Sequence, residues 1–233
     1  MKLLLTSSGI VNDELADNLA QLVGKRFNEL KIGFIPSAAF GEPSEDKGWM
    51  IDDLSQLRTR GAMVAVISLA DLTSEEIAEQ LAPVDVVFVG GGQTFYLSWL
   101  LQQKGMFELL PKLLETKVYA GISAGTMIAT PSLRSDSFAI RQPDMSNEEL
   151  EKLGPVGRSS AKASGFVPFM IRPHMNGKAK YVDITPEVVQ RAADASGLPV
   201  YAFDDSCAVR VDGDDVSVVG GGEWYKLEPD PTL

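Results

Sequence analysis

Several short apolar runs in this chain leave no polar face, and this restricts the fold more than any other feature. Lys2–Thr6 is built on Leu3-Leu4-Leu5, and Val86–Val89 reads Val-Val-Phe-Val. A strand points successive side chains to opposite sides of its sheet. Runs of this kind therefore need cover on both sides, as in a parallel sheet between two helical layers. Lys31–Ile35, Met63–Ile67 and Val118–Ile122 are further strand candidates. Between them lie stretches with helical spacing: Asn12–Phe27, Glu45–Arg60, Ser74–Leu81, Thr94–Gln103 and Met106–Thr116. This alternation predicts an α/β chain with a doubly wound, mainly parallel sheet.

Boundary signals agree with that reading. Asn12 or Asp13 can cap the first helix, and Thr73 with Glu76 three residues on forms a capping-box pattern. Lys104-Gly105 closes one helix before Met106 opens the next. The second half is less regular. Residues 131–165 are rich in Ser, Pro, Gly and charge and predict mostly loop, with a short helix near Asn147–Leu153. A strand is expected at Phe166–Ile171 and a helix at Glu187–Ala195, with Thr185 before it and Gly197 after it. Four strands are expected at Val200–Phe203, Ala208–Val211, Val216–Val219 and Glu223–Leu227. Asp-Gly and Gly-rich turns join the last three, which predicts a short C-terminal antiparallel meander. No internal repeat interrupts the pattern, and residues 1–233 are expected to form one domain.

Charge and composition exclude several functions. The formal net charge is -11, which disfavours nonspecific binding to nucleic acid or an anionic membrane. The single cysteine, Cys207, allows no intramolecular disulfide, and with one histidine a His/Cys zinc site is nearly excluded. The opening apolar run is too short for a signal-peptide core, and no stretch approaches a membrane span, so a cytoplasmic location is expected. No metal or cofactor is implied.

Four segments carry chemistry. Gly121-Ile122-Ser123-Ala124-Gly125 follows a strand candidate and precedes Thr126-Met127-Ile128-Ala129. This is the G-x-S-x-G pattern in its strand-turn-helix context, where small neighbours let the chain turn sharply and lift Ser123 Oγ clear of the sheet. Gly90-Gly91-Gly92-Gln93-Thr94 follows the Val86–Val89 strand, and its glycines can expose backbone N–H groups to a ligand. It lacks the spacing of a nucleotide phosphate loop. Arg172-Pro173-His174 follows the Phe166–Ile171 strand; His174 is the only imidazole and therefore the only His base available to Ser123. Asp204-Asp205 follows Val200–Phe203, and either carboxylate could orient that imidazole, with Asp136 and Asp144 as competitors.

Each segment lies just past the C-terminal end of a strand candidate, where open α/β sheets bind ligands. The four can thus converge although they are distant in sequence. The order Ser, His, acid departs from the Ser, acid, His order of α/β-hydrolases.

Taken together, these segments resemble the S51 serine peptidases. Val89–Phe95 is similar to their Gly-rich segment, with Gln93 where the family usually has Asn. Gly121–Gly125 resembles their nucleophile segment, Pro173-His174 their histidine segment, and Val200–Val209 the one supplying their acid; the opening Met1–Ser8 is also similar. The resemblance implies a fold like the class I glutamine amidotransferases, a flavodoxin-like three-layer sandwich. It implies Ser123 as nucleophile, His174 as base and Asp205 as acid, with Gly91 or Gly92 and Ala124 donating to an oxyanion. Arg172, Asp136, Gln93 and Thr94 become candidate substrate-binding residues. The implied activity is hydrolysis of short peptides with an N-terminal Asp by a dipeptidase or exopeptidase, as a monomer or homodimer. The segment after His174 is shorter than in the aspartyl dipeptidase of the family, which bears on specificity more than on catalysis. The alternatives are an esterase or amidase using the same residues, and a noncatalytic binding domain of the same shape.

Overall fold

A computed structural model describes residues 1–41, 46–133, 162–175 and 185–232. The expected Asn147–Leu153 helix lies outside the described residues. The strands β1 (Lys2–Thr6), β2 (Lys31–Ile35), β3 (Met63–Val66), β4 (Val86–Val89) and β5 (Val118–Ile122) all pair in parallel, in the order β3-β2-β4-β5-β1. Antiparallel β8 (Ala208–Asp212) and β9 (Asp215–Val219) extend the sheet beyond β1.

Alternation along the strands divides the core into two layers. Leu4, Phe34, Phe88 and Ala120 pack with Leu15, Leu19 and Leu22 of α1 (Asp13–Val23) and Leu57 of α2 (Gly48–Thr59). Leu3, Leu5, Val87, Val89 and Tyr119 face the opposite way. They meet α3 (Ser74–Leu81), α4 (Thr94–Gln103), α5 (Met106–Leu113) and the short α6 (Ala124–Ile128). At roughly 1.5–3 kcal/mol for each large apolar side chain buried, these two layers fix which face each strand presents.

The edge strand departs from the expectation of two-sided cover: Met63 is 56% and Val66 55% exposed. The first helix is also shorter than its periodicity suggests. Gly24 takes the left-handed conformation at φ 79° and ends α1 after Val23.

A second sheet holds β6 (Met170–Arg172), β7 (Val200–Phe203) and β10 (Trp224–Leu227) in the order β10-β7-β6. β6 and β7 are parallel, β7 and β10 antiparallel. The expected C-terminal strands are present and antiparallel, divided between two sheets: β8–β9 is a hairpin on the first and β10 joins the second. Met170, Val200 and Ala202 pack on Val189, Ala192 and Ala193 of α7 (Pro186–Ser196), while Ile171, Tyr201 and Phe203 join the core of the first sheet. No helix among the described residues is long and apolar enough to cross a membrane.

Candidate active site

Strand register places the site. In the first sheet Val89 pairs with Gly121, and Thr6 with Ile122. The residues just beyond β4, β5 and β1 therefore lie side by side. A Cβ on Gly91 would stand 3.4 Å from Ser123 Cβ, and Ser123 N–H donates to the Thr6 carbonyl at 3.2 Å. In the second sheet Arg172 pairs with Ala202, which sets His174 beside the turn that carries Asp205. Met175 N–H donates to the Phe203 carbonyl at 3.1 Å and fixes this juxtaposition.

Ser123 occupies a strained backbone conformation, φ 48° and ψ -104°. His174 also has positive φ, at 60°, and among the described residues these two are the only non-glycines that do. Such conformations cost roughly 1–3 kcal/mol each and persist only where the surroundings over-determine them. Around Ser123 the determinants are visible. Thr126 Oγ1 donates to the Thr6 carbonyl at 2.7 Å, and the fully buried Tyr119 hydroxyl donates to the Gly125 carbonyl at 2.6 Å. Burial pushes the Tyr119 hydroxyl pKa far up, so it stays a donor. A Cβ on Gly125 would run into the Val89 carbonyl, so only glycine lets α6 approach β4 this closely.

Ser123, His174 and Asp205 form a hydrogen-bonded series. Ser123 Oγ is 2.9 Å from His174 Nε2, and His174 Nδ1 is 2.6 Å from Asp205 Oδ1. The His174 bond, then those from Ser7 and Ser8, hold the Asp205 carboxyl well below the usual carboxylate range against the opposing effect of burial. An ionised Asp205 only accepts, so Nδ1–H is the donor in that bond; in the neutral ring this tautomer turns the Nε2 lone pair toward Ser123 Oγ–H. Asp204 is used differently: it accepts from Ser206 N–H at 2.9 Å and Glu223 N–H at 2.8 Å, bracing the turn.

The other candidate residues are distributed around this series. Among the described residues, the backbone N–H groups of Gly91, Gly92 and Ala124 donate to no protein acceptor. Gly91 adjoins Ser123, and Gly92, at φ 128°, lies against the Ala38–Ala39 backbone. Gln93 is buried, and its Oε1 caps α4 by accepting Tyr96 N–H at 2.7 Å. Thr94 is buried with Oγ1 toward Met127 Sδ. Arg172 is buried in β6. Asp136 and Asp144 lie outside the described residues.

Ser7 touches this series although it lies in none of the four segments that carry chemistry. Fully buried, it donates to Asp205 Oδ1 at 2.6 Å and accepts His174 N–H at 2.9 Å. Its place one residue past β1 puts it at the same sheet end as Gly91 and Ser123.

The family model described as peptidase family S51 matches residues 3–219. An uncharacterized peptidase of Pasteurella multocida, PM1590, is 26% identical over 190 residues, covering 81% of this chain and 84% of its own. Peptidase E of Streptomyces coelicolor is 32% identical over 154 residues; the match covers 64% of this chain and 57% of that protein. A Drosophila melanogaster protein named probable alpha-aspartyl dipeptidase is 28% identical over 155 residues, covering 64% of this chain and 58% of its own. A Listeria monocytogenes protein provisionally named peptidase E has a crystal structure that superimposes with a TM-score of 0.72 at 23% identity, covering 95% of this chain and 98% of that one. A peptidase from an acI-B1 Actinobacterium does so with 0.68 at 21%, covering 99% and 91%. These structural likenesses bear on the fold.

Proposed function

This chain belongs to peptidase family S51 and is a serine-type peptidase; on that premise we propose that it cleaves short peptides through an acyl-enzyme on Ser123. The observation that supports this most is the series from Ser123 Oγ through the only imidazole to Asp205. In the proposed reaction Ser123 Oγ attacks the peptide carbonyl while His174 Nε2 takes its proton. Asp205 holds the Nδ1 tautomer and offsets the charge that develops on the ring. The tetrahedral oxyanion is received by the N–H groups of Gly91, Ala124 and, by its neighbouring position, Gly92. His174 then protonates the leaving amine, and water attacks the ester and frees Ser123.

For the substrate we propose a dipeptide or short peptide with an N-terminal Asp. The Drosophila relative's name points that way. Arg172, two residues before the base, is the candidate for the side-chain carboxylate, and Asp136 for the amino terminus. We further propose that residues 1–233 act as one domain.

The test has two parts. A fluorophosphonate probe is expected to label the wild type and not Ser123→Ala; no labelling of folded wild type refutes Ser123 as nucleophile. Dipeptides beginning with Asp, Glu, Asn and neutral residues are then assayed on wild type and His174→Ala. Preference for Asp is expected. Cleavage of simple esters alone would make the chain an esterase, and preference for neutral first residues would remove the role given to Arg172.

A further inference from the structure

The proposed nucleophile stands on the first sheet, while its base and acid come from turns of the second. Something must hold the two sheets in register to a fraction of an ångström, because a 1 Å misplacement costs roughly 10²-fold in rate. The Asp205 side chain is 50% exposed, so water competes for its carboxylate. His174 sits at φ 60°, a conformation that L-residues do not choose unaided.

We infer that Ser7 is the positioning residue that sets His174 and Asp205 against Ser123. The inference rests on the serine-peptidase reading above. A serine hydroxyl has one proton and two acceptor sites. The Ser7 proton goes to Asp205 Oδ1 at 2.6 Å. One acceptor site takes the backbone N–H of His174 at 2.9 Å, and Oγ also lies 3.2 Å from His174 Nδ1. One side chain therefore holds the backbone that orients the imidazole and the carboxylate that receives the imidazole proton. Its own anchor is equally direct. Ser7 follows Thr6, whose carbonyl accepts Ser123 N–H at 3.2 Å and Thr126 Oγ1–H at 2.7 Å, and whose Oγ1 donates to the Gly121 carbonyl at 2.7 Å. The last residue of β1 and the one after it thus tie the two sides together, Thr6 holding the Ser123 turn and Ser7 the His174 and Asp205 turns. Because the contact is to the base and acid and not to substrate, its loss acts on the chemical step and leaves substrate affinity in place.

The single histidine makes the inference measurable, since the ring gives one Nδ1–H signal in 15N-edited proton NMR. In the wild type this signal is expected far downfield, with a nuclear Overhauser contact to the Ser7 Cβ protons. Absence of that contact overturns the inference without any variant. In Ser7→Ala the signal is expected to move upfield and broaden by solvent exchange. Fluorophosphonate labelling of Ser123 is expected to slow by about 10²-fold, and KM for an Asp dipeptide to change less than threefold. Labelling at the wild-type rate overturns the inference. So does slower labelling with the histidine signal unmoved, because a merely structural serine would do that. Ser123→Ala separates the two readings: if that variant still labels, the nucleophile assignment falls. If it does not label while Ser7→Ala labels normally, only the role of Ser7 falls.

Discussion

Replacing Asp53 by asparagine isolates the free energy of holding a carboxyl group inside this protein. Asp53 lies on α2 and is 8% exposed. Burial first, and the neighbouring Asp52 charge second, raise its pKa from 3.8 to about 7. The unfolded chain releases that proton near the ordinary value, so between about pH 4 and pH 7 the folded state binds a proton that the unfolded state does not. With a raised folded-state pKa, the stabilising contribution is complete below the unfolded value and is lost as pH rises through the folded one. At ~1.4 kcal/mol for each tenfold change in proton affinity, the loss amounts to about 4 kcal/mol above pH 7. Asparagine keeps the shape and cannot ionise. Like the protonated acid, it offers a donor near Gln56 Oε1, which is buried with no hydrogen-bond partner among the described residues; a Cβ on Gly9 would contact both side chains. Urea unfolding of both proteins across pH 4 to 8 tests this, because titrating groups that do not interact with Asp53 cancel in the difference. The variant's stability relative to wild type is expected to improve by about 4 kcal/mol over that range. A difference that does not vary with pH refutes the reasoning.

Substitutions at three further positions probe the frame around Ser123. Gln93→Ala removes the Oε1 cap on Tyr96 N–H and is expected to cost about 1 kcal/mol of stability, while Gln93→Asn keeps a cap; a changed KM at unchanged stability would make Gln93 a substrate ligand instead. A methyl at position 222 would overlap the Asp204 carboxylate, which braces the turn beside Asp205. Gly222→Ala is therefore expected to slow hydrolysis by about 10²-fold with the far-UV spectrum retained, and wild-type turnover would show that the turn absorbs the methyl. Asp205 has a depressed folded-state pKa, led by its bond to His174, so its contribution to stability is present above the unfolded value near 4 and is lost only as pH falls below it. Relative to Asp205→Asn, the wild type should lose its advantage on acidification below about pH 4, measured by circular dichroism; loss already at pH 6 contradicts the depressed pKa.

The five parallel strands, α3, α4 and β7 were legible from residue order, because two-faced apolar runs and helical spacing are local patterns. Capping by Thr73 was legible for the same reason: its hydroxyl accepts Glu76 N–H three residues on. The short motif around Ser123 and the sole imidazole could be picked out as well, since each stands at a strand end and needs no partner to be noticed. Tertiary structure decided the rest. Nothing in Met170-Ile171-Arg172 or in Trp224–Leu227 states that these strands leave the first sheet for a second, because apolar alternation encodes a buried face and not a pairing partner. The choice between Asp204 and Asp205 is a matter of a turn: Asp204 bonds backbone N–H groups around it, and its neighbour meets the imidazole. Ser7 shows the limit most plainly, since its contacts lie 167 and 198 residues away along the chain. A serine after a strand has no local mark of function. It gains one only when the register of two sheets brings a histidine N–H and a carboxylate to its hydroxyl.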